Sequence, residues 1–197
     1  MKELVFASAN KHKVDEVAAK LGGQVHLLGL TDIGCTEEIQ ETASTLEGNA
    51  LIKARFVFDR FNKKCFADDT GLEVEVLNGQ PGVFSARYAG DARSSEANIE
   101  KLFTELHYET NRKAQFRTVI CLIIAGEVHF FEGIVKGHIA RERRGNSGFG
   151  YDPVFIPEGS SRSFAEMNLE EKNILSHRAL AIGKMKKFLS HSQLMNS

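Results

Sequence analysis

Phe116-Arg117-Thr118-Val119-Ile120-Cys121-Leu122-Ile123-Ile124-Ala125 runs directly into Gly126-Glu127 and then into Val128 to Ala140. The first run is almost wholly apolar and β-branched, the pattern of a strand buried in the middle of a sheet. Gly126-Glu127 offers a turn, so the two runs together predict a long hairpin. A hairpin of this length argues against a purely parallel sheet. Toward the N-terminus, Glu3 to Ala7 reads as a strand and Lys11 to Leu21 as a helix with Val14, Val17, Ala18 and Leu21 on one face. Val25 to Leu28 reads as a second strand. From Asn49 to Phe61 a helical stripe of Ala50, Ala54, Val57, Phe58 and Phe61 follows, with Thr45 or Asn49 as its cap. Cys65 to Ala67 and Leu72 to Val76 read as strands on either side of a polar turn, Asp68-Asp69-Thr70-Gly71. Ser94 or Ser95 caps a helix to about His107. After the hairpin come a strand at Pro153 to Ile156 and a helix from about Ser176 to Leu189, with Ile182, Met185 and Leu189 on a face. Strands and helices interleave without repeats or linkers, so the class is α/β with a mixed sheet, in a single domain over 1–197 or two closely joined lobes.

The 197 residues are 42% hydrophobic and 26% charged with a net charge of −1. That balance fits a soluble globular chain with a substantial core and gives no support to nucleic-acid binding. Met1 to Ala7 is too short an apolar run for a signal peptide, and no later segment approaches a membrane span, so a cytoplasmic protein without a membrane partner is expected. Cys35, Cys65 and Cys121 are odd in number and free of any C-x-x-C spacing. Packed, reduced thiols are expected of them, not a disulfide framework or a zinc site.

Five stretches of the chain have the makings of chemistry. Ser8-Ala9-Asn10-Lys11-His12-Lys13 joins the first strand to the first helix, where backbone N–H groups and the positive helix end favour an anion. An ordinary N-cap with solvated lysines explains it equally well, and neither a G-x-x-x-x-G-K-[ST] nor a G-x-G-x-x-G pattern occurs. Glu37, Glu38 and Glu41 lead into the helix of Lys53; with Asp68 and Asp69 they could supply the oxygen ligands that Mg²⁺ prefers. Two Gly-rich loops, Gly79 to Gly90 with Arg87 and Gly145 to Pro153 with Phe149 and Tyr151, have the composition of ligand-closing segments or of plain turns with packed aromatics. Lys172 precedes Ser176-His177-Arg178 at a helix start, where cations oppose the dipole and call for something electron-rich beside them.

Taken in order, S-x-N-x-x-K, E-T-x-x-x-x-x-x-N-A-x-x-K-A, F-A-D-D-T-G-L, P-G-x-x-S-A-R-Y-A-G, F-G-Y-D-P-x-F and A-E-M-x-x-x-E-K-N-x-x-S-H-R resemble the inosine/xanthosine triphosphate pyrophosphatases, from about Glu3 to beyond Arg178. The resemblance implies an elongated mixed sheet with flanking helices and two lobes with the active-site cleft between them. It also implies Mg²⁺-dependent hydrolysis of ITP, dITP and XTP to monophosphate and pyrophosphate in a homodimer. Carried over by motif position, Ser8, Ala9, Asn10, Lys11, His12, Lys13 and Lys53 would hold the triphosphate. Glu41 and Asp69 would hold Mg²⁺, with Asp69 also the proton acceptor and Asp68 its partner. Thr70 would touch substrate, Phe149 would stack on the base, and Gly150, Tyr151 and Asp152 would shape its pocket. Lys172, His177 and Arg178 would complete recognition, with Arg87 a further candidate. The family often has Glu directly before the Asn-Ala of the second motif, where this chain has Gly48. A pyrophosphatase for modified pyrimidine nucleotides, or a nucleotide-binding regulator without catalysis, are the alternatives.

Overall fold

The computed structural model of the chain describes residues 2–23 and 25–191. Its strands are β1 (Lys2–Phe6), β2 (Val25–Leu28), β3 (Cys65–Val74), β4 (Pro81–Gly82), β5 (Lys113–Ile124), β6 (Glu127–Ile139) and β7 (Phe155–Pro157). Its helices are α1 (Lys11–Leu21), α2 (Leu46–Phe61), α3 (Ser95–Glu105), α4 (Leu169–Leu175) and α5 (His177–His191). The sheet runs β2-β1-β3-β5-β6-β7, with β4 beside β3. Strand β1 is parallel to β2 and β3, whereas β3–β4 and β6–β7 are antiparallel, so the sheet is mixed as expected. The hairpin is β5–β6. Its reversal falls at Ala125-Gly126, one residue before the expected turn, with φ of 52° and 80°, the primed geometry whose twist suits the flanking strands.

The chain divides into two compact units: Met1–Asp69, Thr118–Gly133 and His177–Ser197 form the first, and Thr70–Arg117 and Ile134–Ser176 the second. In the first unit the strand period of two sorts side chains onto two faces. Leu4, Phe6, Phe66, Ile120, Leu122 and Ile124 pack with Val17 and Leu21 of α1 and with Ala181, Ile182, Met185 and Leu189 of α5. Their neighbours Val5, Ala7, Cys65, Ala67, Cys121 and Ile123 pack with Ala50, Ala54 and Val57 of α2. Because helices cover both faces, the second half of β5, Val119 to Ile124, carries no polar alternation, which is the continuous apolar run seen in its sequence. Each Leu, Ile or Phe fully withdrawn from water here contributes about 1.5–3 kcal/mol. The second unit has its own core around Leu72, Ile99, Leu102, Ile139, Phe155 and Phe164, in which the Phe116 and Phe155 rings meet edge-on at 4.7 Å.

Helix starts follow their caps. Asn10 Oδ1 accepts from Lys13 N at 3.2 Å and opens α1, and Ser94 Oγ accepts from Ala97 N and opens α3. Thr45 Oγ1 accepts from Gly48 N at 3.1 Å, so α2 begins three residues before the apolar stripe. A Cβ on Gly48 would lie 2.5 Å from that of Ala43, so this cap leaves no room for the side chain often found there in the resembled family. Helix α4 had no apolar stripe to announce it; a reciprocal capping box between Asn168 and Glu171 builds it.

One expectation fails outright. Asp68-Asp69-Thr70-Gly71 is no turn: β3 continues through it without a break. The acids remain in the strand because each finds cations or amide donors on its own side of the sheet. Val76, expected in the following strand, lies instead in a 3-10 turn at Glu75–Leu77. The three cysteines are free and buried, as expected. No helix among the described residues is long and apolar enough to cross a membrane.

Candidate active site

The pleat of β3 decides the geometry. Asp68 shares the face of Phe66, toward α1 and α5, and Asp69 shares the face of Cys65 and Ala67, toward α2. Asp68 is buried between Lys13 Nζ at 3.0 Å and Arg178 Nε at 3.0 Å. Arg178 in turn donates from Nη1 to Glu16 Oε2 at 2.5 Å. Two acids and two bases from α1, β3 and α5 therefore alternate in a buried chain, Lys13–Asp68–Arg178–Glu16. Burial works against ionisation of Asp68, but Lys13 and Arg178 together outweigh it and hold its carboxyl well below the usual range. Lys13 goes the other way: burial lowers its pKa more than Asp68 restores it. The electron-rich group expected beside the cations of the last helix is thus supplied by the chain itself.

On the opposite face, Asn49 Nδ2 donates to Asp69 Oδ2 at 3.0 Å, and its Oδ1 accepts from Ala43 N at 2.9 Å. Lys53 Nζ donates to Glu41 and stands 3.8 Å from Asp69 Oδ1. Burial raises the Asp69 pKa, and Glu41 adds to it against the opposing pull of Lys53. Glu41 and Asp69 thus face one ammonium from two sides. Among the described residues no group of three His, Cys, Asp or Glu converges as a metal site. Two carboxylates with the remaining positions left to water and phosphate oxygens is a donor set that suits Mg²⁺.

Ser8, Ala9, Asn10, Lys11 and His12 lie in or beside the α1 cap; Ser8 Oγ accepts from Asn10 N at 3.2 Å, and Lys11 and His12 are exposed. At the start of α5, His177 is buried with Nδ1 2.5 Å from Thr118 Oγ1 on β5. A Cβ on Gly133 of β6 would fall 2.0 Å from the His177 carbonyl oxygen, so a glycine there is the condition for α5 to sit where it does.

The second unit holds the other expected residues. Asp152 Oδ2 accepts from Phe149 N at 2.8 Å and from Lys172 Nζ at 2.7 Å. Lys172 Nζ also stands 4.8 Å from the Phe149 ring centroid, a cation–π contact. Gly150 has φ 61° and turns the loop between them. Tyr151 belongs to the core, with its hydroxyl donating to Ser85 O at 3.0 Å. Thr70, half-buried, follows Asp69 along β3, and Arg87 lies over the Phe84 ring at 5.3 Å.

Sequence reading missed Glu16, Asn49 as a partner of Asp69, Thr118 and Ser85. Glu16 stands three residues after Lys13, on the same side of α1, which was the available signal. Nothing local reveals an arginine 162 positions away.

Fold and charged residues together define a mixed α/β protein whose third strand carries neighbouring acids on opposite faces, each matched by lysine. The model of the Ham1 family matches residues 4–188, and the chain belongs to that family. It is 58% identical to a dITP/XTP pyrophosphatase of Flavobacterium psychrophilum over 91% of this chain and 94% of that one. It is 56% identical to the Porphyromonas gingivalis protein of the same name, over 96% and 98%. Among solved structures, the Staphylococcus aureus Ham1 protein superposes with a TM-score of 0.86 at 41% identity, covering 96% and 98% of the two chains. A HAM1 protein from Coxiella burnetii gives 0.89 at 36% identity, covering 98% and 100%. The family resemblance carried by the six motifs is borne out.

Proposed function

We propose that the chain hydrolyses non-standard purine nucleoside triphosphates, dITP, XTP and ITP, to the nucleoside monophosphate and pyrophosphate. Membership of the Ham1 family and the names of its relatives support the reaction. The observation that carries it to particular residues is the split of Asp68 and Asp69 across β3. Asp68 is tied up in the buried chain of charges, which leaves Asp69, beside Glu41 and Lys53, as the acid for chemistry. Mg²⁺ would be held by Glu41 and Asp69, and when bound it would neutralise phosphate charge and favour departure of pyrophosphate. Lys13, Lys53 and the N–H groups at the α1 start would hold the phosphate chain, since catalysis of this kind rests on positioning and electrostatics. Asp69 would orient a water and accept its proton; burial, by raising its pKa, brings its basicity closer to what that task needs.

Phe149 would stack on the base, with Lys172 against its ring and Asp152 holding its amide. His177 would favour a 6-keto purine as a donor, and Arg178, whose Nε and Nη1 are given to Asp68 and Glu16, would bear on the base only through its place beside His177. A homodimer and a cytoplasmic location complete the reading. Sedimentation equilibrium tests the dimer, and a monomer at micromolar concentration removes it.

The deciding experiment is turnover of ITP, XTP, dITP, GTP, ATP and a modified pyrimidine triphosphate with Mg²⁺, with product identification. Pyrophosphate released chiefly from ITP, XTP and dITP supports the proposal. Orthophosphate as product, or preference for the pyrimidine, overturns it. Asp69→Asn should lower turnover by about 10²–10⁴-fold while leaving the fold intact.

A further inference from the structure

A pocket of about 840 Å³ opens in the second unit, lined by none of the residues proposed above to hold substrate or metal. Arg112, Lys113, His138, Arg141 and Arg144 line it against one acid, Glu142. Arg112 is rigidly set: Nε donates to Ile139 O at 2.8 Å, Nη1 to Leu106 O at 3.0 Å and Nη2 to Ala140 O at 2.8 Å. Those partners are neutral, so the positive charge of its guanidinium is not cancelled, and a guanidinium has five N–H donors to spend. Arg144 is offset by Glu166 at 3.3 Å. Lys113 and Arg141, both exposed, have no carboxylate within ion-pair distance among the described residues. Burial, and behind it the neighbouring Arg141 charge, lowers the pKa of Arg112. Like charges brought together at a concave surface, one of them clamped by backbone carbonyls, cost free energy that an anion between them would return.

We propose that this pocket is a second anion site, which takes a phosphate-bearing small molecule between Arg112, Lys113 and Arg141. Its volume lies within the range of sites that hold a nucleotide-sized ligand. Arg112 provides a fixed donor face, and Lys113 and Arg141 close on the phosphate oxygens. Two sources share this chemistry, inorganic pyrophosphate and a nucleoside monophosphate. None of the residues proposed for the reaction lines the site, so it holds whether or not that reaction is correct.

The test is backbone amide NMR of the full chain titrated with pyrophosphate and, separately, with inosine monophosphate, in wild type and in the Lys113→Ala/Arg141→Ala double variant. Saturating shifts at Lys113, His138 and Arg141 at millimolar ligand, about tenfold weaker for each cation removed, are the expected result. Tighter saturation by the monophosphate identifies a nucleotide site, and tighter saturation by pyrophosphate an inorganic-anion site. Turnover of ITP at low anion concentration should be the same in both proteins. Absence of saturating shifts at these amides, or identical titrations in the double variant, overturns the proposal.

Discussion

Arg178 shows how one residue can satisfy a motif and still do something the motif does not say. The S-H-R of the sixth motif marked it for base recognition, yet its guanidinium is buried and donates to Asp68 and Glu16. Removing it would take the guanidinium away from Glu16 and from Asp68, which keeps Lys13 at 3.0 Å, and breaking such a buried ion pair costs about 3–5 kcal/mol. Arg178→Ala should therefore lower unfolding free energy by that amount in urea titration, whatever it does to the choice between ITP and ATP. A loss under about 1 kcal/mol would show that this chain of charges is not what holds α5 to β3. The cysteines give a second prediction. Burial pushes the Cys65 and Cys121 thiols from 9.0 up to about 12. Between those values the unfolded chain releases protons that the folded chain keeps, so stability falls as pH rises, by up to about 1.4 kcal/mol per pH unit for each thiol. Stability curves at pH 8 and pH 10.5 check the slope. Alkylation by iodoacetamide at neutral pH, followed by mass spectrometry, should label neither thiol until denaturant is added.

At the scale of elements, much was legible because burial leaves a period. The bounds of α1 were readable to the residue and the β5–β6 turn to within one position, since apolar spacing and turn chemistry agree there, whereas β5 begins at Lys113, three residues before the expected Phe116. Strand β3 was not legible as one piece. Two carboxylates interrupt its apolar run, and a local pattern cannot distinguish a polar turn from acids neutralised by α1, α2 and α5. Ala18 fails for a related reason: it lies on the apolar side of α1 by spacing but is exposed, while Glu16 is buried against Arg178. The candidate site shares this divide, its local motifs readable and its pairings not. The same packing makes Gly133 a test of how α5 docks. Gly133→Ala would place a Cβ 2.0 Å from the His177 carbonyl and 2.7 Å from the Ala181 amide, both backbone atoms that cannot swing aside. About 1–3 kcal/mol of lost stability is expected, seen as a lower melting temperature together with weakened turnover. An unchanged melt would mean that α5 shifts on β6 without cost.

At the scale of the whole molecule, both units are assembled from segments that lie apart in the chain, and the first takes three passes, Met1–Asp69, Thr118–Gly133 and His177–Ser197. The second unit needs nothing beyond Ser176. That order has a consequence on the ribosome. While residues 1–176 are out and α5 is still in the exit tunnel, Asp68 and Glu16 have no guanidinium between them, and the apolar face that α5 covers, including Leu4, Phe6 and Ile120, is open to water. The first unit therefore has to wait for the segment made after it, whereas the second has all its residues in hand. A nascent or truncated chain ending at Ser176 should be cut rapidly by protease within Met1–Asp69 but resist within Thr70–Arg117 and Ile134–Ser176. Supplying His177–Ser197 as a separate peptide should slow that cutting.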